Sequence, residues 1–237
     1  MIDTLCFSGG GIKGISFLGA INYLEEVEFI NLKNINNYVG TSVGSIMSFL
    51  FILGYSAKEL IDFSEKFDFK KFQIEINCNN FLSNLGIDSG IKIMTAIKTF
   101  LKERFDVDDI TFIDLFNLTN KNFKIITTNY STSKLEIFSH QETPNVSVLL
   151  AIRMSISVPF IFTPVKHNNH YYVDGGISCN FGLFYCNRET TLGLMFHNET
   201  KINELDTFTN YFKNICKVFM LSSTQHLLDF YDDKGGY

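Results

Sequence analysis

Three observations predict an α/β fold, a three-layer α/β/α arrangement around a mainly parallel central sheet. Short apolar runs end in glycine-rich turns, first Leu5-Cys6-Phe7 before Ser8-Gly9-Gly10-Gly11, then Tyr38-Val39 before Gly40-Thr41-Ser42. Each turn leads into a segment whose apolar residues recur at helical spacing. Strand and helix signals then alternate along the chain, as they do where parallel strands are joined by crossover helices.

The elements follow in order. Leu5-Cys6-Phe7 is a buried strand, and residues 15–28 form a helix through Ile15, Leu18, Ile21, Leu24 and Val27. Tyr38-Val39 is a second strand, followed by a helix over residues 45–53. Two more helices are predicted over residues 57–67 and 89–105. Residues 123–128 alternate like a strand and can pair with residues 135–138 as a hairpin. A helix over residues 146–157 must stop before Pro159. His167 and His170 flank a polar hairpin turn before the strand Tyr171-Tyr172-Val173. Residues 192–196 form a last strand and residues 205–228 a long helix. No linker or repeat divides the 237 residues, so residues 1–230 are expected to be one domain and residues 231–237 a frayed tail.

Composition narrows the function. At 46% apolar and 19% charged the chain is globular. With a net charge of -5 and no basic cluster, a nucleic-acid partner is not expected. The five cysteines are scattered without metal-ligand spacing, so neither a bound metal nor a disulfide framework is predicted, and reduced thiols suit an intracellular setting. The first residues, Met1-Ile2-Asp3-Thr4, lack the basic region of a secretory signal, and the longest apolar stretch, Ile46 to Gly54, is too short to span a bilayer. A soluble or peripherally membrane-associated protein is expected. The 25 Phe and absent Trp follow an AT-rich coding bias, which discounts aromatic content as a functional signal.

The first glycine turn, Gly9-Gly10-Gly11-Ile12-Lys13-Gly14, lies between a strand and a helix. Adjacent glycines leave backbone N–H groups uncovered at the positive end of the following helix, which suits an anion. Two anions fit. Gly9-x-Gly11-x-x-Gly14 spells the dinucleotide-phosphate spacing, although the acid expected at the end of the next strand is missing. The same loop could hold the oxyanion of an acyl-transfer intermediate. The second turn, Gly40-x-Ser42-x-Gly44, has the nucleophile-elbow spacing, in which small residues let a strand bend sharply into a helix and expose the serine hydroxyl. The amide of Val43 would face the same space.

A serine nucleophile needs a base. Of the five histidines, His140, His167, His170, His197 and His226, the last two satisfy the order Ser…Asp…His but read as surface or strand-end residues, and His167 and His170 sit in a solvated polar turn. The other candidate base is Asp174 in Asp174-Gly175-Gly176, a tripeptide that by itself also reads as a hairpin turn.

Taken in order, the residues from Leu5 through Gly14, then Gly40-Thr41-Ser42-Val43-Gly44, the segment from Ala151 through Pro164, and Asp174-Gly175-Gly176 resemble the motif set of patatin-like phospholipases. The resemblance covers most of residues 5–181. It implies a single patatin-like catalytic domain that hydrolyses lipid acyl esters through a Ser42–Asp174 dyad, without histidine, metal or other cofactor. The amides of Gly10 and Gly11 would hold the oxyanion, and Gly175 and Gly176 would turn the backbone so that Asp174 faces the serine. Asn180-Phe181 departs from the family's usual Asn-Pro, and Met154 and Ile156 are larger than is common there. Phe63, Phe67, Phe69 and Phe72, interleaved with Lys66, Lys70 and Lys71, form either a lid touching a lipid surface or, preferred on composition, an amphipathic helix packed on the core.

Overall fold

Along the central sheet, seven strands lie in the order β7-β8-β4-β2-β1-β9, with β5 also paired to β4. They are β1 (Thr4–Phe7), β2 (Asn37–Thr41), β4 (Asn122–Asn129), β5 (Lys134–Phe138), β7 (Val165–His167), β8 (His170–Asp174) and β9 (Thr191–Leu194). The computed structural model describes residues 1–66, 83 and 85–196, with four further positions at 211, 214, 215 and 218. The helix predicted over residues 205–228, those positions apart, lies outside the described residues, as do the tail 231–237, His197, His226 and the Phe67–Phe72 part of the aromatic-lysine segment.

The sheet divides into two halves. β4, β2, β1 and β9 pair in parallel, as the alternating pattern predicts, whereas β5, β8 and β7 run antiparallel to their neighbours. The reason is local: tight turns join β4 to β5 and β7 to β8, and such turns connect only antiparallel strands. Asn168 and Asn169, both at positive φ (47° and 64°), make the second of these turns.

Side-chain alternation gives the sheet two unequal faces. Leu5, Phe7, Tyr38, Phe123 and Ile125 point into the larger core. Against them pack helices α1 (Ser16–Glu26), α2 (Val43–Ile52), α3 (Ala57–Lys66), α4 (Ile91–Phe105), α5 (Phe112–Thr119) and α6 (Val148–Ser155). Cys6, Val39 and Ile126 point the other way, into a smaller cluster built with Phe181. Its cover includes the short helix α7 (Gly176–Cys179) and the strap that follows it to Cys186. No helix among the described residues is long and apolar enough to cross a membrane.

Several ends differ from the sequence reading. A 3-10 turn over Gly11–Ile15 precedes α1, which stops at Glu26 because Glu28 adopts φ 58°. There the Phe29 N–H reaches back to the Leu24 carbonyl at 2.9 Å and the Glu28 N–H to that of Glu25 at 3.1 Å, a left-handed cap. Helix α5 was not predicted; its start is marked by Thr111, whose hydroxyl accepts the Asp114 N–H. Strands β3 (Gly86–Asp88) and β6 (Phe160–Phe162), a separate parallel pair, are too short for a period-two signal. Phe63 packs edge-on against Phe100 of α4 at 4.8 Å, so the described part of the aromatic-lysine segment is a packed helix.

Candidate active site

The register on β4 creates the site. β2 runs parallel to β4 and ends with Thr41 opposite Ile126. The next three residues of β4, Thr127 to Asn129, pair with β8, which arrives from the opposite direction and ends with Asp174 opposite Thr127. Because the same stretch of β4 also pairs with β5, β8 must use the edge that β2 has just left. Two strands therefore meet head-on along one edge, and the residue after Thr41 is Ser42.

Ser42 sits just before α2 at φ 54° and ψ -126°, a backbone state rare for a residue with a side chain and recurrent at functional turns. Close packing on both sides enforces the turn. A Cβ at Gly40 would lie 2.5 Å from the Gly44 carbonyl oxygen, and one at Gly44 would lie 2.4 Å from that of Phe7. Ser45 closes the first turn by donating its hydroxyl to the Ser42 carbonyl at 2.6 Å.

The Ser42 hydroxyl donates to Asp174 Oδ2 at 2.6 Å, and the other carboxylate oxygen, Oδ1, accepts the Gly176 N–H at 2.7 Å. Asp174 is fully buried and Ser42 is 4% exposed. Burial raises the Asp174 carboxyl from its ordinary 3.8 to about 7, against the opposing hydrogen bonds from Ser42 and the Gly176 N–H. A carboxylate with that affinity for protons is matched to accepting one at neutral pH. Among the described residues the partner of the serine hydroxyl is this aspartate, not a histidine. His140 stacks on Phe116 at 4.1 Å, while His167 and His170 flank the β7–β8 turn, at the opposite end of β8 from Asp174.

The glycine turn lies against the serine at two points. A Cβ on Gly9 would be 3.3 Å from that of Ser42, and one on Gly14 would be 2.3 Å from a Val43 methyl. Gly10 is covered by the Phe196 ring, whereas Gly11, at φ 57°, has nothing within 4 Å of where its Cβ would be. The first amide of the turn is committed to the frame: the Gly9 N–H donates to the Asn180 carbonyl at 2.9 Å. Val43 is the first residue of α2, where helix geometry supplies no carbonyl for the N–H. Gly10 and Gly11 thus follow in sequence the glycine that meets Ser42, and Val43 follows Ser42 itself, while Gly175 packs flat on β4, its Cβ position 2.2 Å from the Ile126 oxygen.

One contributor was missed in the sequence. Ser155, fully buried at the end of α6, accepts the Ser42 N–H at 2.8 Å and donates to the Ile126 carbonyl at 2.7 Å. Its own carbonyl accepts the Gly175 N–H at 3.2 Å, and the Ser157 carbonyl accepts that of Asp174 at 2.9 Å. One helix end therefore positions both the Ser42 turn and the aspartate loop. The available signal was a pair of serines, Ser155 and Ser157, at the end of an apolar run. Ser155→Ala leaves the buried Ser42 amide and Ile126 carbonyl without this partner, and is expected to lower kcat by about 10- to 100-fold at nearly unchanged KM. A kcat within twofold of the parent would contradict this positioning role.

A family model described as "Patatin-like phospholipase" matches residues 5–186. This chain belongs to the patatin-like phospholipase family. Family membership implies lipid hydrolysis. Relatives include "Probable lipid hydrolase 463L" of Invertebrate iridescent virus 6, 29% identical over 93% of this chain and 75% of that protein. Another is "Uncharacterized protein R571" of Acanthamoeba polyphaga mimivirus, 31% identical over 87% of this chain and 70% of that protein. Among solved structures, VipD from Legionella pneumophila superposes with a TM-score of 0.55 at 20% identity, over 81% of this chain and 49% of that one. ExoU of Pseudomonas aeruginosa, solved in complex with SpcU, gives a TM-score of 0.53 at 22% identity, over 67% of this chain and 38% of that one. These likenesses support the three-layer patatin-like fold. The chain spans about half or less of the length of these two solved chains.

Proposed function

We propose that the chain is a serine carboxylic-ester hydrolase acting on lipid acyl esters, phospholipids included, through an acyl-Ser42 intermediate. The observation that carries this reading is the 2.6 Å hydrogen bond from the Ser42 hydroxyl to a carboxylate that burial has made basic.

In the first step the Ser42 oxygen attacks the ester carbonyl carbon while its proton passes to Asp174. Charge gathers on the former carbonyl oxygen, where the amides of Gly10, Gly11 and Val43 would stabilise it, aided by the positive end of α2. The intermediate collapses, the carbonyl–alkoxide bond breaks, and protonated Asp174 returns its proton to the leaving alcohol. Water then attacks the acyl-serine with Asp174 again accepting the proton, and the Ser42 oxygen leaves, taking that proton back as the fatty acid is released. Burial of the dyad excludes bulk water, which keeps the carboxylate from being solvated into a weak base. No step draws on a metal or other cofactor. Ile12, 78% exposed on the glycine turn next to Lys13, supports a peripheral contact with a lipid surface.

The direct test is fluorophosphonate labelling beside hydrolysis of a short-chain ester. Labelling is expected at Ser42 alone, and persistence of the label in Ser42→Ala would falsify the assignment. Because Asp174 must be ionised to accept the proton, kcat/KM is expected to rise with pH along a limb centred near 7. A limb near pH 4, the range of an ordinary carboxylate, contradicts the role given to burial.

A further inference from the structure

On the face of the sheet covered by the smaller core, three of the cysteines come together. Cys6 of β1 points into the smaller core, against which Cys179 and Cys186 also pack. The register explains the meeting. Cys6 lies between Val39 and Gly193 on its neighbouring strands, and a Cβ on Gly193 would be 2.6 Å from the Phe181 ring and 3.5 Å from a Leu183 methyl. The strap over residues 179–186 therefore crosses the sheet directly over Cys6.

Within this cluster Cys6 and Cys186 are the paired thiols. Their side chains lie close enough to influence each other's titration, and the Cys186 thiol donates to the Gly182 carbonyl oxygen at 3.6 Å. Cys179 instead donates to the Phe181 carbonyl at 3.3 Å, and burial pushes its thiol up to about 11. The two paired thiols differ in access. Cys6 is fully buried, while Cys186 is half-buried and lines a cavity of about 210 Å³ with Asp3, Asn37, Asn122 and Lys124. The Lys124 ammonium, bonded to the Tyr185 carbonyl at 3.1 Å, brings a positive charge beside Cys186. The neighbouring Cys6 thiol, then this charge, hold the Cys186 thiol below its ordinary range, whereas burial raises that of Cys6. Among the described residues no three His, Cys, Asp or Glu side chains are placed to hold a metal ion, so the cluster is not a ligand set.

We infer that Cys6 and Cys186 are a peroxide-responsive thiol pair, with Cys186 as the reacting and Cys6 as the resolving thiol. The Cys186 sulfur attacks one oxygen of hydrogen peroxide, the O–O bond breaks, and the departing hydroxide takes up a proton as water, leaving a sulfenic acid. The Cys6 sulfur then attacks the Cys186 sulfur, the S–O bond breaks, the Cys6 proton leaves with that hydroxyl as a second water, and a disulfide closes. Two thiols are oxidised and one peroxide is reduced. The product fastens the strap to β1. The same strap carries Asn180, which holds the Gly9 amide, and begins at Cys179, whose carbonyl accepts the Thr41 hydroxyl at 3.1 Å, so the bond would tighten the frame behind the site.

The test uses the full reduced chain treated with stoichiometric hydrogen peroxide and mapped without reduction by mass spectrometry. A Cys6–Cys186 cross-linked peptide is expected, with loss of two titratable thiols, both reversed by dithiothreitol. Cys6→Ser should trap the sulfenic acid, raising dimedone adducts at Cys186 by at least about tenfold. Since a change at the buried Cys6 can prevent folding, Cys186→Ser provides the second arm: it should abolish both the cross-link and the peroxide-dependent loss of thiols. A cross-link to any other cysteine, oxidation without a cross-link, or unchanged thiol loss in Cys186→Ser would overturn the pair. None of these outcomes depends on the ester chemistry assigned to Ser42, which the labelling experiment tests separately.

Discussion

Ser42→Ala is expected to lower ester turnover by about 10⁴-fold or more, with the protein folded and its thermal midpoint shifted by only a few degrees. The size follows from the chemistry: without the hydroxyl there is no acyl-enzyme, and what remains is the residual effect of the oxyanion donors and binding. The small stability effect follows from the backbone. Ser42 sits at φ 54° whichever side chain it carries, so alanine inherits the same strain, losing only the 2.6 Å bond to Asp174. A variant that keeps turnover within tenfold of the parent would remove Ser42 from the mechanism, and with it the reading of Gly40-x-Ser42-x-Gly44 as a nucleophile elbow.

The second large effect couples activity to stability with opposite signs. Asp174→Asn is expected to reduce turnover by roughly 10³- to 10⁴-fold, because the amide cannot take the Ser42 proton. At neutral and alkaline pH the same substitution should raise the thermal midpoint. A carboxyl moved from 3.8 to about 7 binds its proton more tightly in the folded than in the unfolded chain. Between those values the unfolded chain holds fewer protons than the folded one, so stability falls as pH rises through this window. Above it the buried, ionised Asp174 is destabilising, by an upper bound on the order of 4 kcal/mol. Asparagine has the same shape: its oxygen can accept the Gly176 N–H and its amide can donate to the Ser42 hydroxyl. Differential scanning calorimetry at pH 4 and pH 8 separates the contributions. The variant should match the parent at pH 4 and exceed it at pH 8; a gain that is equal at both, or larger at pH 4, would show that Asp174 is not held as a raised-pKa group.

The two predictions together describe a common feature of enzyme sites, in which groups set against the stability of the fold are retained for chemistry. Ser42 stores backbone strain and Asp174 stores desolvation. Ser155 carries no charge and no strain, yet it ties the two together through the Ser42 amide, the Ile126 carbonyl and the Gly175 amide.

What could be read in the sequence was local. The strand–glycine–helix pattern at Gly9–Gly14 and at Gly40–Gly44 follows from steric rules acting over a few residues, and both turns form where they were expected. The parallel half of the sheet was legible for the same reason, since alternating strand and helix signals leave few other topologies. The antiparallel half was less legible, because β7 is only three residues long and carries almost no periodic signal. Asp174 lay between these cases: its residue type was visible and its local sequence resembled a turn, so its role rested on resemblance to a family.

The sequence by itself determined the turn shapes, the candidate nucleophile and the family, because each is encoded in short runs of glycine, serine and apolar residues. Only the tertiary structure decided that Ser42 meets Asp174, 132 residues away, since that contact depends on β2 and β8 sharing one edge of β4. It alone also decided how basic the carboxyl is and which serine anchors the turn. Burial and hydrogen bonding between distant segments are properties of packing, and no local pattern carries them.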